Sequence, residues 1–247
     1  MSLFKSLLDL LYPPRCPFCD RVLALNESHR DGAALWSDGV SSKELPICHD
    51  CLQELPWLKR SCIYCGYSLQ SEEMKCLRCS GNSFSFEECC VLGRYEGKIR
   101  EALHRFKYRG QKSLAEPLGK ILCSKLALMS WTSSIDFLVP VPLYAQRFRL
   151  RGYNQASLLA GVVGKELGLP VLEALERVRD TKSQTGLNKK QRTENLRGAF
   201  KCVREIKKGS HVLLIDDVLT SGSTAHEASH VLKKEGAARV SVATLAR

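Results

Sequence analysis

The chain has 247 residues, 44% of them hydrophobic and 26% charged, and a formal net charge of +11. That balance excludes a disordered chain, and no run approaches the roughly 18 apolar residues of a membrane-spanning helix. One or two globular domains with a basic surface remain, suited to polyanions such as nucleic acid or phosphorylated metabolites.

Residues 1–12 place Leu3, Phe4, Leu7, Leu8 and Leu11 at helical spacing, predicting an amphipathic N-terminal helix docked on its own domain. Asp9 and the absence of a basic start argue against a signal peptide, so the expected compartment is the cytoplasm, where thiols stay reduced.

Eight of the twelve cysteines form four C-x-x-C pairs before residue 80: Cys16/Cys19, Cys48/Cys51, Cys62/Cys65 and Cys76/Cys79. Disulfides would bring scattered spacing and a secretion signal, and a redox C-x-x-C is usually single within a βαβ unit. Two pairs per ion give tetrahedral thiolate coordination, hence two structural Zn²⁺ sites. The ten-residue spacer between Cys65 and Cys76 resembles a zinc ribbon, and Gly66 fits a tight knuckle turn. Sequential pairing needs only local loop closure, but a cross-braced arrangement also satisfies the spacing. A small proline-rich segment builds a core worth about 3–5 kcal/mol, against apparent values near 10–16 kcal/mol for a structural zinc. The metal term dominates, so residues 1–88 read as a zinc-binding domain and residues 89–247 as a second domain. Cys123 lies in an apolar helical pattern and reads as a small core residue.

The second part alternates strands and helices. A strand is expected at 89–95. A helix follows over 97–108, with Ile99, Leu103 and Phe106 on one stripe, and another over 113–129. Residues 135–139 form a short strand stopped by Pro140 and Pro142. Arg147, Arg149, Arg151 and Gly152 follow, a cationic corner before a helix over 154–167 that Gly168 ends. Residues 177–197 are polar and cation-rich, with Arg179, Lys182, Lys189 and Arg192 among them, and read as a surface loop or a closing lid. A strand at 212–215, a helix to 235 and a strand at 240–245 close the chain. This order predicts a parallel sheet that binds ligands at its strand carboxyl ends.

The most informative stretch is VLLIDDVLTSGST, residues 212–224. A buried strand ends in Asp216 and Asp217, and the loop Thr220, Ser221, Gly222, Ser223 and Thr224 then feeds a helix. Unpaired N–H groups at the helix start, four hydroxyls and a glycine suit a phosphate, while paired carboxylates suit ribose hydroxyls or hydrated Mg²⁺. A bare strand–turn–helix corner needs only one capping hydroxyl. The stretch is similar to the phosphoribosyl pyrophosphate (PRPP) motif of type I phosphoribosyltransferases.

With the four C-x-x-C pairs, RYEGKIREALHRFKYRG, VPVPLYAQRFRLRGYNQ and RDTKSQTGL in this order, the chain resembles the ComF family of competence-associated proteins. The resemblance implies an α/β type I phosphoribosyltransferase-like parallel sheet flanked by helices, with a small N-terminal zinc-binding domain. It implies a role linked to the uptake of single-stranded DNA in natural transformation; the expected partners are PRPP or a related phosphorylated ribose and, where the chain handles DNA, single-stranded DNA and a DNA-translocating helicase. On that reading Asp216, Asp217 and residues 220–224 bind PRPP with Mg²⁺, and Arg147, Arg151 and Gly152 face its diphosphate. The loop carrying Arg179, Lys182, Lys189 and Arg192 closes over it, and the acceptor is open. The alternative is a non-catalytic PRPP-sensing or DNA-binding module, with Tyr64, Tyr67, Phe84 and Phe86 stacking on bases or filling a small core. Ser221-Gly222-Ser223-Thr224 stands where Thr-Gly-Ala-Thr is common, and Tyr153 where Phe is common.

Overall fold

The computed structural model describes residues 13–23, 45–58, 60–69, 75–77, 79, 84–179 and 196–247. The expected N-terminal helix, and Lys182, Lys189 and Arg192 of the polar stretch, lie outside the described residues. Within the described part, four strands form one parallel sheet: β1 (Glu88–Gly93), β2 (Phe137–Pro140), β5 (His211–Val218) and β6 (Arg239–Ala246). Their spatial order is β1-β6-β5-β2.

Side chains alternate along each strand, so a strand buried on both sides feeds two cores. In β5, Leu213 and Ile215 enter one core while Val212 and Leu214 enter the other, all at 0% exposure. Each such side chain contributes about 1.5–3 kcal/mol by leaving water. The first core is covered by α2 (Gly97–Tyr108), α3 (Ala115–Leu126) and α5 (Gln155–Leu167). The second is covered by α6 (Ser223–Lys234) and by an antiparallel pair, β3 (Leu175–Arg177) with β4 (Phe200–Cys202). Cys123 is buried within the first core, as expected.

The cysteine-rich part packs directly on this frame. Cys16, Phe18, Ile47, Cys48 and Cys51, the last in α1 (His49–Glu54), share the first core with α2 and α3. Lys125 of α3, 5% exposed, donates to the carbonyls of Leu58 and Val91 and so ties the cysteine-rich part to β1. Arg105 of α2 donates to the carbonyls of Pro17 and Phe18 beside the first cysteine pair.

Three features depart from the sequence expectations. A short helix, α4 (Ala145–Arg151), forms in the cationic stretch. Arg177 is not in a loop but on β3, 9% exposed, paired opposite Phe200. The helix after the small-residue loop starts at Ser223, with left-handed Gly222 (φ +79°) as its N-cap.

Candidate functional site

A cleft of about 880 Å³ opens at the carboxyl ends of β2 and β5, where the sheet topology places ligand sites. Lys107, Arg147, Arg151, Arg177 and Arg247 line it together with Asp216, Asp217, Thr220 and Thr224. The acidic pair lies at the tip of β5 because the fully buried run before it fixes the register.

The two aspartates have different environments. Asp217 takes an ion pair from Lys107 of α2 at 2.8 Å, both side chains only 14% exposed. Burial works against the Lys107 ammonium, but the Asp217 carboxylate, with Asp216 behind it, outweighs that and raises its pKa. Asp216 has no such partner among the described residues; its Oδ1 accepts the backbone N–H of Asp217 at 2.8 Å. Burial first, and the Asp217 charge second, push its carboxyl up to about 7, against the opposing pull of that N–H, Lys107 and Arg177. The site therefore holds two adjacent carboxylates at a cost, which a divalent cation or a set of hydroxyl donors would relieve.

The loop before α6 is built for an anion. Gly222, the left-handed N-cap, has no side chain to cap the helix, and Ser221 Oγ accepts the Ser223 N–H at 3.3 Å and lies 2.8 Å from Ser223 Oγ. Phe84 packs across the loop from outside: a Cβ on Gly222 would lie 2.9 Å from Phe84 Cε1. His226 accepts the Ser85 N–H at 2.9 Å, fastening the same segment to α6. Burial lowers the His226 pKa, so the ring is neutral and able to accept.

The opposite wall is cationic. Arg151 bonds Gln155 Oε1 at 3.0 Å and Tyr108 Oη at 3.2 Å, with its guanidinium 4.9 Å from the Tyr108 ring centre. Tyr153 donates to the Phe106 carbonyl, pinning the α4–α5 corner to α2.

The cysteines form two separate sets, Cys16/Cys19/Cys48/Cys51 and Cys62/Cys65/Cys76/Cys79, with all four sulfurs of each within 4.8 Å of one another. The pairing is sequential, which decides between the two arrangements the spacing permits. Tetrahedral Zn–S bonds of about 2.3 Å need sulfurs at about this separation, so both sets are compatible with a structural zinc. Both knuckles share one design. Bridges Arg15↔Val22 and Ser61↔Ser68 flank them, and the residue after each first C-x-x-C is left-handed: Asp20 (φ +64°) and Gly66 (φ +66°). Lys98 Nζ lies 3.7 Å from Cys51 Sγ, where it offsets thiolate charge.

A phosphoribosyl transferase domain model matches residues 154–247. Competence protein ComFC of Bacillus subtilis is 30% identical over 213 residues, 81% of this chain and 84% of that protein. Competence protein F of Haemophilus influenzae is 32% identical over 207 residues, 81% of this chain and 90% of that protein. The chain belongs to the ComF family. DNA utilization protein YhgH of Escherichia coli K12 is similar too, 29% identical over 205 residues, 81% of this chain and 90% of that protein.

In this ComF-family chain the parallel sheet flanked by helices is phosphoribosyltransferase-like, and cysteine clusters compatible with zinc precede it. The structure brings Asp216, Asp217, Thr220, Thr224, Arg147 and Arg151 to one cleft. Ser221, Gly222 and Ser223 form the turn behind it. Gly152 does not line the cleft; left-handed at φ +74°, it closes the C-terminus of α4. The N-terminus of α5 is capped instead by Asn154, whose side chain accepts from Ala156 N–H at 3.1 Å. Arg179 donates to the Arg197 carbonyl at 2.7 Å, bonding one end of the polar stretch to the other. Arg177, expected in the closing loop, lines the cleft from strand β3, whereas Lys107 and Arg247 are cleft residues that the sequence did not single out. Lys107 sits off the apolar stripe of its helix, a position shared by several cations, so no pattern singled it out. No helix among the described residues is long and apolar enough to cross a membrane.

Proposed function

We propose that this chain binds PRPP with Mg²⁺ in the cleft at Asp216 and Asp217 and acts as a cytoplasmic phosphoribosyltransferase-type protein in handling single-stranded DNA during uptake. The observation that carries the reading is the placement of two adjacent carboxylates at the β5 tip, one of them raised in pKa, directly before an anion-ready helix start. The 5-phosphate binds the loop of Thr220, Ser221, Gly222, Ser223 and Thr224. The carboxylates take the ribose hydroxyls and, through water, Mg²⁺. Arg147 and Arg151 face the diphosphate, and cations there stabilise charge on a departing diphosphate. The residues of the polar stretch, Arg179, Lys182, Lys189 and Arg192, serve as the closing element. Two structural zinc ions order the cysteine-rich part of residues 1–88, which docks on the sheet domain. The names of the relatives, competence proteins and a DNA utilization protein, support the link to DNA.

A second reading is supported by α4. None of its residues is buried, Phe148 and Leu150 are 49% and 82% exposed, and the stacked Arg151–Tyr108 pair lies beside them. Cations interleaved with exposed rings suit a single strand or a helicase partner, with PRPP then a regulator rather than a substrate.

The test is titration calorimetry of PRPP with and without Mg²⁺, together with diphosphate release. Saturable Mg²⁺-dependent binding that Asp216→Asn abolishes supports the site. Binding without diphosphate release under any acceptor supports the sensing module. No binding at millimolar PRPP overturns both.

A further inference from the structure

A second cavity of about 630 Å³ adjoins the cleft and shares Tyr95 and Arg247 with it. Its far wall is the second cysteine knuckle: Gly66, Tyr67, Ser68, Leu69 and Cys76. That wall is held firmly. Gly66 lies so close to β1 that a Cβ there would be 2.3 Å from Val91 Cγ2. The Arg247 guanidinium rests on the Tyr67 ring, 5.2 Å from its centre, and its buried Nε has no hydrogen-bond partner among the described residues. Tyr67 and Tyr95 both line the cavity, 41% and 39% exposed. At the rim, Arg94 is neutralised by Glu96 at 2.8 Å, so Arg247 is the cation without a carboxylate partner among the described residues.

These groups define a ligand chemistry. Two tyrosine faces and apolar Leu58 and Leu69 favour a flat ring. A guanidinium fixed by stacking on the cavity wall, with no carboxylate on it among the described residues, favours one negative charge. We propose that this cavity, walled by the second cysteine knuckle, binds a planar aromatic group carrying a single negative charge. Resting on the PRPP reading of the cleft, it is then the acceptor subsite of the same reaction. A nitrogen carried by the aromatic ligand forms a bond to C1 of the ribose as the C1–O bond breaks. The bonding pair leaves on the diphosphate, which also takes the nitrogen's proton. The cysteine knuckle thereby has a role in recognition as well as in folding.

The experiment uses the full chain with zinc bound and anthranilate, an intrinsically fluorescent aromatic carboxylate, as probe. Aniline and cyclohexanecarboxylate serve as controls lacking the charge or the ring. Expected is saturable anthranilate binding, with both controls at least tenfold weaker. Tyr67→Leu and Arg247→Met should each weaken anthranilate at least tenfold, at unchanged zinc content and circular dichroism, while Tyr67→Leu leaves PRPP affinity within threefold. Tyr67→Phe, which keeps the ring, should restore binding and separates recognition from a folding defect. Anthranilate that does not bind, or binds equally to the Tyr67→Leu and Arg247→Met proteins, overturns the proposal. Anthranilate bound as predicted to a chain that does not bind PRPP would keep the subsite and refute the transferase reading.

Discussion

Replacing the two aspartates one at a time should move stability in opposite directions. The unfolded carboxyl of Asp216 titrates near 3.9, and the folded one is raised to about 7. Below pH 4 both states hold the proton and the group is neutral in its effect. Between these values the folded state holds more protons than the unfolded one, so stability falls as pH rises. Above pH 7 the deficit levels off, at most about 4 kcal/mol at 1.36 kcal/mol per pH unit. Asp216→Asn removes it, and asparagine still accepts the Asp217 N–H. The unliganded protein should therefore gain about 1–3 kcal/mol at pH 8 and little at pH 4. At this chain length that is a melting shift of roughly 2–4 °C per kcal/mol. Asp217→Asn does the reverse. It leaves Lys107, 14% exposed, without its partner, at a cost between the small value of a surface pair and the 3–5 kcal/mol of a buried one, about 2–3 kcal/mol. Thermal unfolding of both variants at pH 4.5 and 8, zinc present and PRPP absent, reads the difference. An Asp216→Asn protein that is less stable at pH 8, or gains equally at both pH values, would refute this account of the site.

Metal analysis of gently purified protein should give two zinc ions per chain, and chelation should melt the cysteine-rich part first; absence of zinc would contradict both sites. Gly66→Ala should cost about 2–4 kcal/mol, from the left-handed backbone and the clash with Val91, whereas Asp20→Gly at the matching turn should stay within about 0.5 kcal/mol in urea unfolding. Phe84→Ala removes the ring packed between the second cysteine set and Gly222, and should weaken PRPP binding about tenfold as well as costing about 2 kcal/mol in stability. Single-stranded DNA affinity measured by anisotropy should fall steeply with salt, and removing Arg149 and Arg151 together should flatten that slope by about two.

Much of the frame was legible because its periodicities are long. The stripe Ile99, Leu103 and Phe106 marked the helix at 97–108, and the apolar run before Asp216 marked β5 and its tip. What escaped notice has physical reasons. Helix α4 buries nothing, so AQRFRLR carries no apolar period. Strands β3 and β4 have three residues each, too few for alternation to show, and Arg177 was read as loop in consequence. Which cysteine pairs share a set depends on three-dimensional closure; local loop closure favoured the sequential pairing that the structure shows, with a cross-braced one left open by the spacing. Lys107 and Arg247 reach the cleft only through the packing of α2 and the end of β6 around the sheet.

The most direct measurement is a crystal structure of the chain with PRPP and Mg²⁺. The account predicts the 5-phosphate within hydrogen-bond distance of the backbone N–H groups of residues 221–224. The ribose hydroxyls should lie on Asp216 and Asp217, with Lys107 released from Asp217 or shared with the ligand. Crystals grown at saturating PRPP that show the ligand elsewhere, or the Lys107–Asp217 pair intact over an empty loop, would contradict it.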